Sequence, residues 1–90
     1  MSLALTPPSA ELLSDLDKLE ATVHGDSTGD KTRRLAKYFA QAETLSQQAQ
    51  LRATDFEEKT FAALVGDAFA ASRRIVLLAW QKHHGRELTT

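Results

Sequence analysis

The sequence predicts an all-α protein of one domain, arranged either as a three-helix bundle or as a helical hairpin with an extra N-terminal helix. Three observations support this fold class. Helix-forming residues dominate the chain of 90 residues, apolar residues recur at steps of three and four, and no alternation with a period of two persists. A chain of this length builds one small core, and its hydrophobic fraction of 42% is too high for intrinsic disorder.

The first predicted helix covers about residues 8–24. Either Thr6 or Ser9 is its N-cap, and the two prolines between them suit a first helical turn, where backbone N–H groups have no helical partner. One apolar stripe follows this helix at steps of four, three and four: Leu12, Leu16, Leu19 and Val23. Gly25 ends the helix, and the polar residues 25–30 form a flexible turn that is too short to separate two domains.

The second predicted helix covers about residues 31–52, with Asp30 as its N-cap. Its apolar residues follow a heptad-like spacing: Leu35, Tyr38, Ala42, Leu45 and Ala49. Because alanine is small, another helix can approach this face closely.

The third predicted helix is the longest and covers about residues 55–84, roughly 45 Å at about 1.5 Å per residue. Thr54 and Glu57 have the spacing of a capping box, which marks the start of the helix. Gly66 is the one weak position, and the helix either kinks there or continues. We expect the tail that begins at Gly85 to fray, as chain ends often do.

The third helix is apolar on more than one face. Every residue from Ile75 to Trp80 is apolar, and such a run covers all sides of a helix within two turns. A helix at a protein surface needs only a single apolar stripe. Two explanations are therefore open: the helix lies at the centre of a compact bundle, or part of it packs against another chain. Trp80 is accordingly either a core residue or an interface anchor.

The sequence offers no arrangement typical of catalysis, so we expect neither an enzyme nor a bound cofactor or metal. Cysteine is absent, which excludes disulfides and thiolate metal sites. His83 and His84 are adjacent and diverge by about 100° on a helix, while His24 is distant in sequence.

The balance of charges argues against nucleic acid as a partner. The chain has 11 Lys and Arg against 12 Asp and Glu, a formal net charge of −1. Four basic residues cluster near the start of the second helix: Lys31, Arg33, Arg34 and Lys37. We interpret this cluster as a solvated face or a site for an acidic partner, with a DNA-binding domain as a weaker alternative. Asp67 is either solvated or paired across an interface with Arg33, Arg34 or a residue of a partner.

The most apolar segment, residues 61–80, is interrupted by Asp67, Arg73 and Arg74, so we expect no membrane span. The N-terminal residues lack the basic and apolar regions of a secretory signal peptide. These two observations together predict a cytoplasmic protein.

Two segments carry a resemblance to a known family. Residues 68–80 form an Ala-rich helix that ends in a cluster of isoleucine, leucine and tryptophan and is followed by Lys82, His83 and His84. Residues 35–50 form a polar, Gln-rich helix before it. Over residues 31–84 the chain resembles the small E-type needle co-chaperones of type III secretion systems, the YscE-like proteins.

The resemblance implies a protein that pairs with a larger helical-repeat chaperone and holds a needle subunit unpolymerised in the bacterial cytosol. It implies that residues of the third helix are buried across that interface: Phe69, Ile75, Val76, Leu78 and Trp80. Residues nearer the start of the same helix would instead pack within the chain, against Leu12, Leu16, Leu35 and Leu45: Phe61, Leu64 and Val65. The alternative is a self-assembling helical homodimer or a structural scaffold subunit, which would form a defined oligomer without another partner.

Overall fold

The computed structural model describes residues 9–89 and confirms the all-α prediction. The order of elements is α1 (Ala10–Asp17), α2 (Leu19–Gly25), α3 (Asp30–Arg52) and α4 (Phe56–His84). α3 and α4 form an antiparallel hairpin that is joined by residues 53–55. The two short helices pack on one half of this hairpin, beside the first half of α3 and the second half of α4.

The prediction of one helix over residues 8–24 is wrong, because Lys18 leaves the helical conformation (φ −120°, ψ 45°) and separates α1 from α2. Across the break, the Thr22 hydroxyl donates to the Asp15 carbonyl oxygen at 3.1 Å. The change of direction lets Leu16 and Val23 join two different core clusters. The stripe of apolar residues continues through the break, so periodicity did not reveal it.

Ser9 is the N-cap of α1, one of the two alternatives that the sequence left open. Its hydroxyl accepts a hydrogen bond from the Leu12 N–H at 3.1 Å. Thr6 and the two prolines lie outside the described residues.

The prediction that Asp30 caps the second helix is also wrong. The residue before α3 is Gly29, whose positive φ of 84° favours glycine. Glycine has no side-chain oxygen that could accept a hydrogen bond from the first turn of the helix. The side chain of Asp26 replaces the missing cap: its Oδ2 accepts from the Thr32 N–H at 2.8 Å. A residue four positions before the helix therefore satisfies a backbone donor of the first turn.

α4 begins one residue later than the capping box predicted. Asp55, not Thr54, is its N-cap, and the Asp55 Oδ1 accepts from the Glu58 N–H at 2.8 Å. The helix continues through Gly66 to His84 without interruption. Gly66 is buried at the contact with α3, where an added Cβ would lie 3.4 Å from the Cβ of Ser46.

We expect Gly66→Ala to raise the free energy of unfolding by about 0.5 kcal/mol. Alanine is more favourable than glycine inside a helix by up to about 1 kcal/mol, and the 3.4 Å contact with Ser46 offsets only part of this gain. Urea denaturation followed by circular dichroism measures the difference. A loss of stability would mean that α3 and α4 have no room for one more methyl group.

The core consists of two neighbouring clusters. The first joins Leu35, Ala36 and Phe39 of α3 to Val76 of α4, and Leu12, Leu16 and Leu19 pack against it. The second joins Val23, Trp80 and Leu88. Both clusters lie in the half of the hairpin that α1 and α2 cover.

The other half of α4 has no such cover, which corrects one prediction. Phe61 and Leu64 were expected to pack inside the chain, yet their exposed fractions are 53% and 63%. Leu12 and Leu16 contact the Leu35 cluster instead, on the opposite half of the hairpin. Val65 is half-buried. Within residues 9–89 no helix combines the length and the hydropathy that crossing a membrane requires.

Candidate protein-binding surface

A line of apolar side chains follows α4 on the face turned away from α3. Its residues recur at steps of three, four, three, four and three, which places them on one side of the helix. We name this set the α4 stripe: Phe61, Leu64, Ala68, Ala71, Ile75 and Leu78. Ala71 is half-buried, whereas the other five are exposed, and Ile75 and Leu78 each expose 62% of their surface.

The opposite face of α4 carries a second line of residues with similar spacing, and this one is used within the chain. Its members are buried or half-buried against α3 and α2: Ala62, Gly66, Phe69, Val76 and Trp80. Phe69 stacks on Phe39 with ring centroids 6.4 Å apart. α4 is therefore apolar all round because it carries two lines of apolar residues, of which the chain itself covers one.

This arrangement divides the five residues that the sequence predicted for an interface. Val76 and Trp80 are 2% and 0% exposed, so they belong to the core of the single chain, and the interface prediction is corrected for these two. Phe69 is half-buried against α3. Ile75 and Leu78 lie on the α4 stripe.

Neighbours in sequence separate in this way because successive residues on a helix diverge by about 100°. The run from Ile75 to Trp80 thus supplies both lines at once. Sequence reasoning missed Phe61 and Leu64 as surface residues, although their spacing from Ile75 and Leu78 was the signal that could have identified them.

Trp80 makes several contacts in the half of the hairpin that α1 and α2 cover. Its indole Nε1–H donates to the Asp26 carbonyl oxygen at 2.7 Å, and its ring stacks on His84 with centroids 4.5 Å apart. The guanidinium of Arg86 lies 4.8 Å from the centre of the indole ring, a cation–π contact.

The tail after α4 returns over this region, which corrects the expectation that it frays. Leu88 is 8% exposed and packs in the cluster of Val23 and Trp80. Arg33 Nε donates to the Thr89 carbonyl oxygen at 2.7 Å, and Arg86 donates to the Ser27 carbonyl oxygen at 2.7 Å. Residues 85–89 therefore form part of the fold.

The fold brings His24 next to His83, with ring centroids 3.1 Å apart, although the two are distant in sequence. Loss of hydration lowers the pKa of His83, and the nearby imidazoles of His24 and His84 lower it further, against the opposing effect of Glu20. In the part of the chain that the structure describes, no group of three His, Cys, Asp or Glu side chains is placed to hold a metal ion.

Charged residues flank the α4 stripe. Asp67 and Arg74 are both exposed and lie along one edge of it, seven residues apart. Neither forms an ion pair with another residue of the described range 9–89. Arg33 and Arg34, the intramolecular candidates for Asp67, pair instead with Asp30 at 2.9 Å and with Glu11 at 2.7 Å.

Beside the C-terminal half of the stripe, a cleft of about 450 Å³ separates α2 from α4. Leu19, Val23 and Val76 contribute to its apolar walls, and Ile75 belongs both to the cleft and to the stripe. The exposed apolar surface is therefore a line of side chains that borders on a concave site.

A family model described as type III secretion system regulatory protein HrpD6 matches residues 4–82 of the chain. The match includes α1, α2, α3 and nearly all of α4, and with it the whole α4 stripe. It supports the relation to type III secretion that the resemblance implied. The narrower relation to E-type needle co-chaperones is not part of the match. No curated protein and no solved structure matches the chain.

Proposed function

Because the chain belongs to the HrpD6 family of type III secretion system regulatory proteins, we propose that it acts in secretion as a non-enzymatic protein-binding module. In this proposal it is a small chaperone or co-chaperone of the bacterial cytoplasm, as the resemblance to E-type needle co-chaperones implies. It works by burying the α4 stripe against a helix of a secretion-system protein.

The observation that carries the proposal is the exposure of four large apolar side chains on one line of α4: Phe61, Leu64, Ile75 and Leu78. Contiguous apolar surface of this kind is unfavourable in water and marks interaction sites in soluble proteins. Folding of the chain leaves the stripe uncovered, since α3 and α2 pack on other faces of α4, while α1 packs on α2 and α3.

The spacing of the stripe indicates the shape of the partner. Steps of alternating three and four match a second helix that presents apolar side chains at the same spacing. Ala68 and Ala71 in the middle allow the two helix axes to come close, towards the lower end of the range of about 8–10 Å. The cleft beside Ile75 would accept one larger apolar side chain of that partner. Binding by burial requires no catalytic group and no cofactor.

We expect the double variant Ile75→Glu, Leu78→Glu to keep its fold and to lose secretion activity. Both side chains are 62% exposed, so glutamate is solvated in the free protein, whereas burying two carboxylates against apolar side chains of a partner is unfavourable. The variant is introduced into a secreting strain that lacks this chain, and secreted proteins are quantified in the culture supernatant. We expect the amount of secreted protein to fall by at least about tenfold, because burial of the two charges weakens binding of the partner.

Leu51→Glu is the matched control. Leu51 is 86% exposed and lies at the end of α3, outside the stripe. Circular dichroism verifies that both proteins are folded. If the double variant restores secretion as well as the Leu51→Glu control does, the α4 stripe is not the binding surface and the proposal fails.

A further inference from the structure

We propose that the α4 stripe is occupied by a second copy of this chain in antiparallel orientation whenever the secretion partner is absent. This inference rests on the proposed function, which assigns the α4 stripe as a binding surface. It adds that a second copy of the chain covers this surface before the partner binds. Homodimerisation and partner binding then exclude each other, so self-association regulates the site.

The order of side chains along the stripe supports an antiparallel pair. When a second α4 is reversed and aligned on the centre of the stripe, large residues meet large ones and small residues meet small ones. Phe61 faces Leu78 of the second copy, Leu64 faces Ile75, and Ala68 faces Ala71. Each contact occurs twice, as the two-fold symmetry of a homodimer requires.

The same register also matches charges at both ends of the stripe. Glu57 and Lys82 continue its spacing beyond Phe61 and Leu78, and both are exposed. In the antiparallel register Glu57 faces Lys82 of the second copy, and the reverse pair forms at the other end. These pairs place opposite charges next to each other at both ends of the apolar contact.

Two further complementary pairs form along one edge of the stripe. A two-fold axis perpendicular to the helices brings the same edge of each copy together, so Asp67 lies near Arg74 of the second copy and Arg74 near its Asp67. Within residues 9–89 neither side chain has an ion-pair partner in the single chain. A parallel pair would instead place Glu57 against Glu57 and Lys82 against Lys82, two repulsive contacts.

The register is tested with two single charge reversals, Asp67→Arg and Arg74→Asp. Each alone places like charges against each other twice in its homodimer. Mixed together, the two variants restore both attractive pairs, because one chain then carries two arginines on this edge and the other two aspartates. We expect each variant alone to dimerise at least about tenfold more weakly than the unmodified chain, and the mixture to recover dimers.

Light scattering over a concentration series measures the mass of each variant and of the mixture. Gln48→Arg and Lys37→Asp are controls on the exposed surface of α3, outside the stripe, and we expect them to leave dimerisation unchanged. A monomeric unmodified chain, or variants that fail to recover dimers when mixed, would overturn the antiparallel homodimer.

The two proposals fail separately. If the chain is monomeric at every concentration but the Ile75→Glu, Leu78→Glu variant still loses secretion, the homodimer is refuted and the partner surface stands. If the charge reversals behave as expected but the double glutamate variant secretes normally, the stripe serves self-association alone. The regulatory role is then refuted together with the proposed function.

Discussion

Replacing Trp80 with alanine is expected to lower the free energy of unfolding by about 3–5 kcal/mol, the range found when a large aromatic side chain is removed from a core. Trp80 is fully buried, and its indole N–H satisfies the Asp26 carbonyl oxygen at 2.7 Å. The substitution leaves a cavity between Val23 and Leu88 and removes the ring on which His84 and Arg86 pack. Because small domains are stable by only about 5–15 kcal/mol, a large part of the stability is lost.

Urea denaturation at neutral pH, followed by the helical circular dichroism signal, measures this change. Phe56→Ala is the matched control, since it truncates a large aromatic residue of the same helix that is 81% exposed and lies outside the α4 stripe. For the control we expect a change of no more than about 0.5 kcal/mol. Equal effects of the two substitutions would contradict the placement of Trp80 in the core of the chain.

Asp26→Ala is expected to cost about 2 kcal/mol at neutral pH. Asp26 is 6% exposed, and its carboxylate accepts the Thr32 N–H at 2.8 Å, where Gly29 supplies no side-chain cap. Alanine leaves that buried N–H without a partner, which costs about 1–3 kcal/mol. Equilibrium urea denaturation of the variant beside the unmodified chain gives the value. A cost below about 0.5 kcal/mol would mean that another acceptor, such as water, replaces the carboxylate.

The contribution of Asp26 is also expected to depend on pH. Burial alone raises the pKa of Asp26, but hydrogen bonds from Thr32 and from the backbone of Lys31 and Gly29 outweigh it and hold the pKa below its ordinary value. A carboxyl group with a lowered pKa contributes its full stabilisation above its unfolded pKa of about 3.9. This stabilisation is lost as the pH falls through the folded pKa.

Asp26→Asn isolates the charge, since the amide keeps an acceptor oxygen of similar shape. We therefore expect the stability difference between the unmodified chain and Asp26→Asn to be constant near neutral pH and to shrink in acid. Urea titrations at several pH values measure it. A difference that stays constant, or grows, towards low pH would show that the carboxylate charge does not stabilise the fold.

Local signals in the sequence were sufficient to predict most of the helical arrangement. The capping residues before α4 and the glycine after it gave its limits to within one residue. The break at Lys18 was not predictable, because it arises when α2 turns to place Val23 against Trp80, a contact between residues distant in sequence. The cap of Thr32 by Asp26 escaped prediction for a related reason: it depends on how residues 26–29 fold, not on the residue that directly precedes the helix.

The exposed α4 stripe was only partly predictable. An excess of apolar residues in α4 was visible in the sequence, and it correctly indicated that one face remains uncovered. Which face remains uncovered depends on where α1 and α2 pack, and that follows from the change of direction at Lys18. Ile75 and Leu78 were therefore predicted together with Val76 and Trp80, although the helix turns the two pairs in different directions.

The chain contains a single tryptophan, and its burial makes the molecule optically convenient. Intrinsic fluorescence excited at the indole band reports only on the junction where α2, α4 and the tail meet. The α4 stripe contains no tryptophan, so substitutions there leave the emitting group in place. Far-ultraviolet circular dichroism reports on all four helices at once, and α3 and α4 dominate it. Unfolding curves from the two signals coincide only if the junction and the hairpin melt together. The position of one indole ring thus makes the cooperativity of the whole fold measurable without any label.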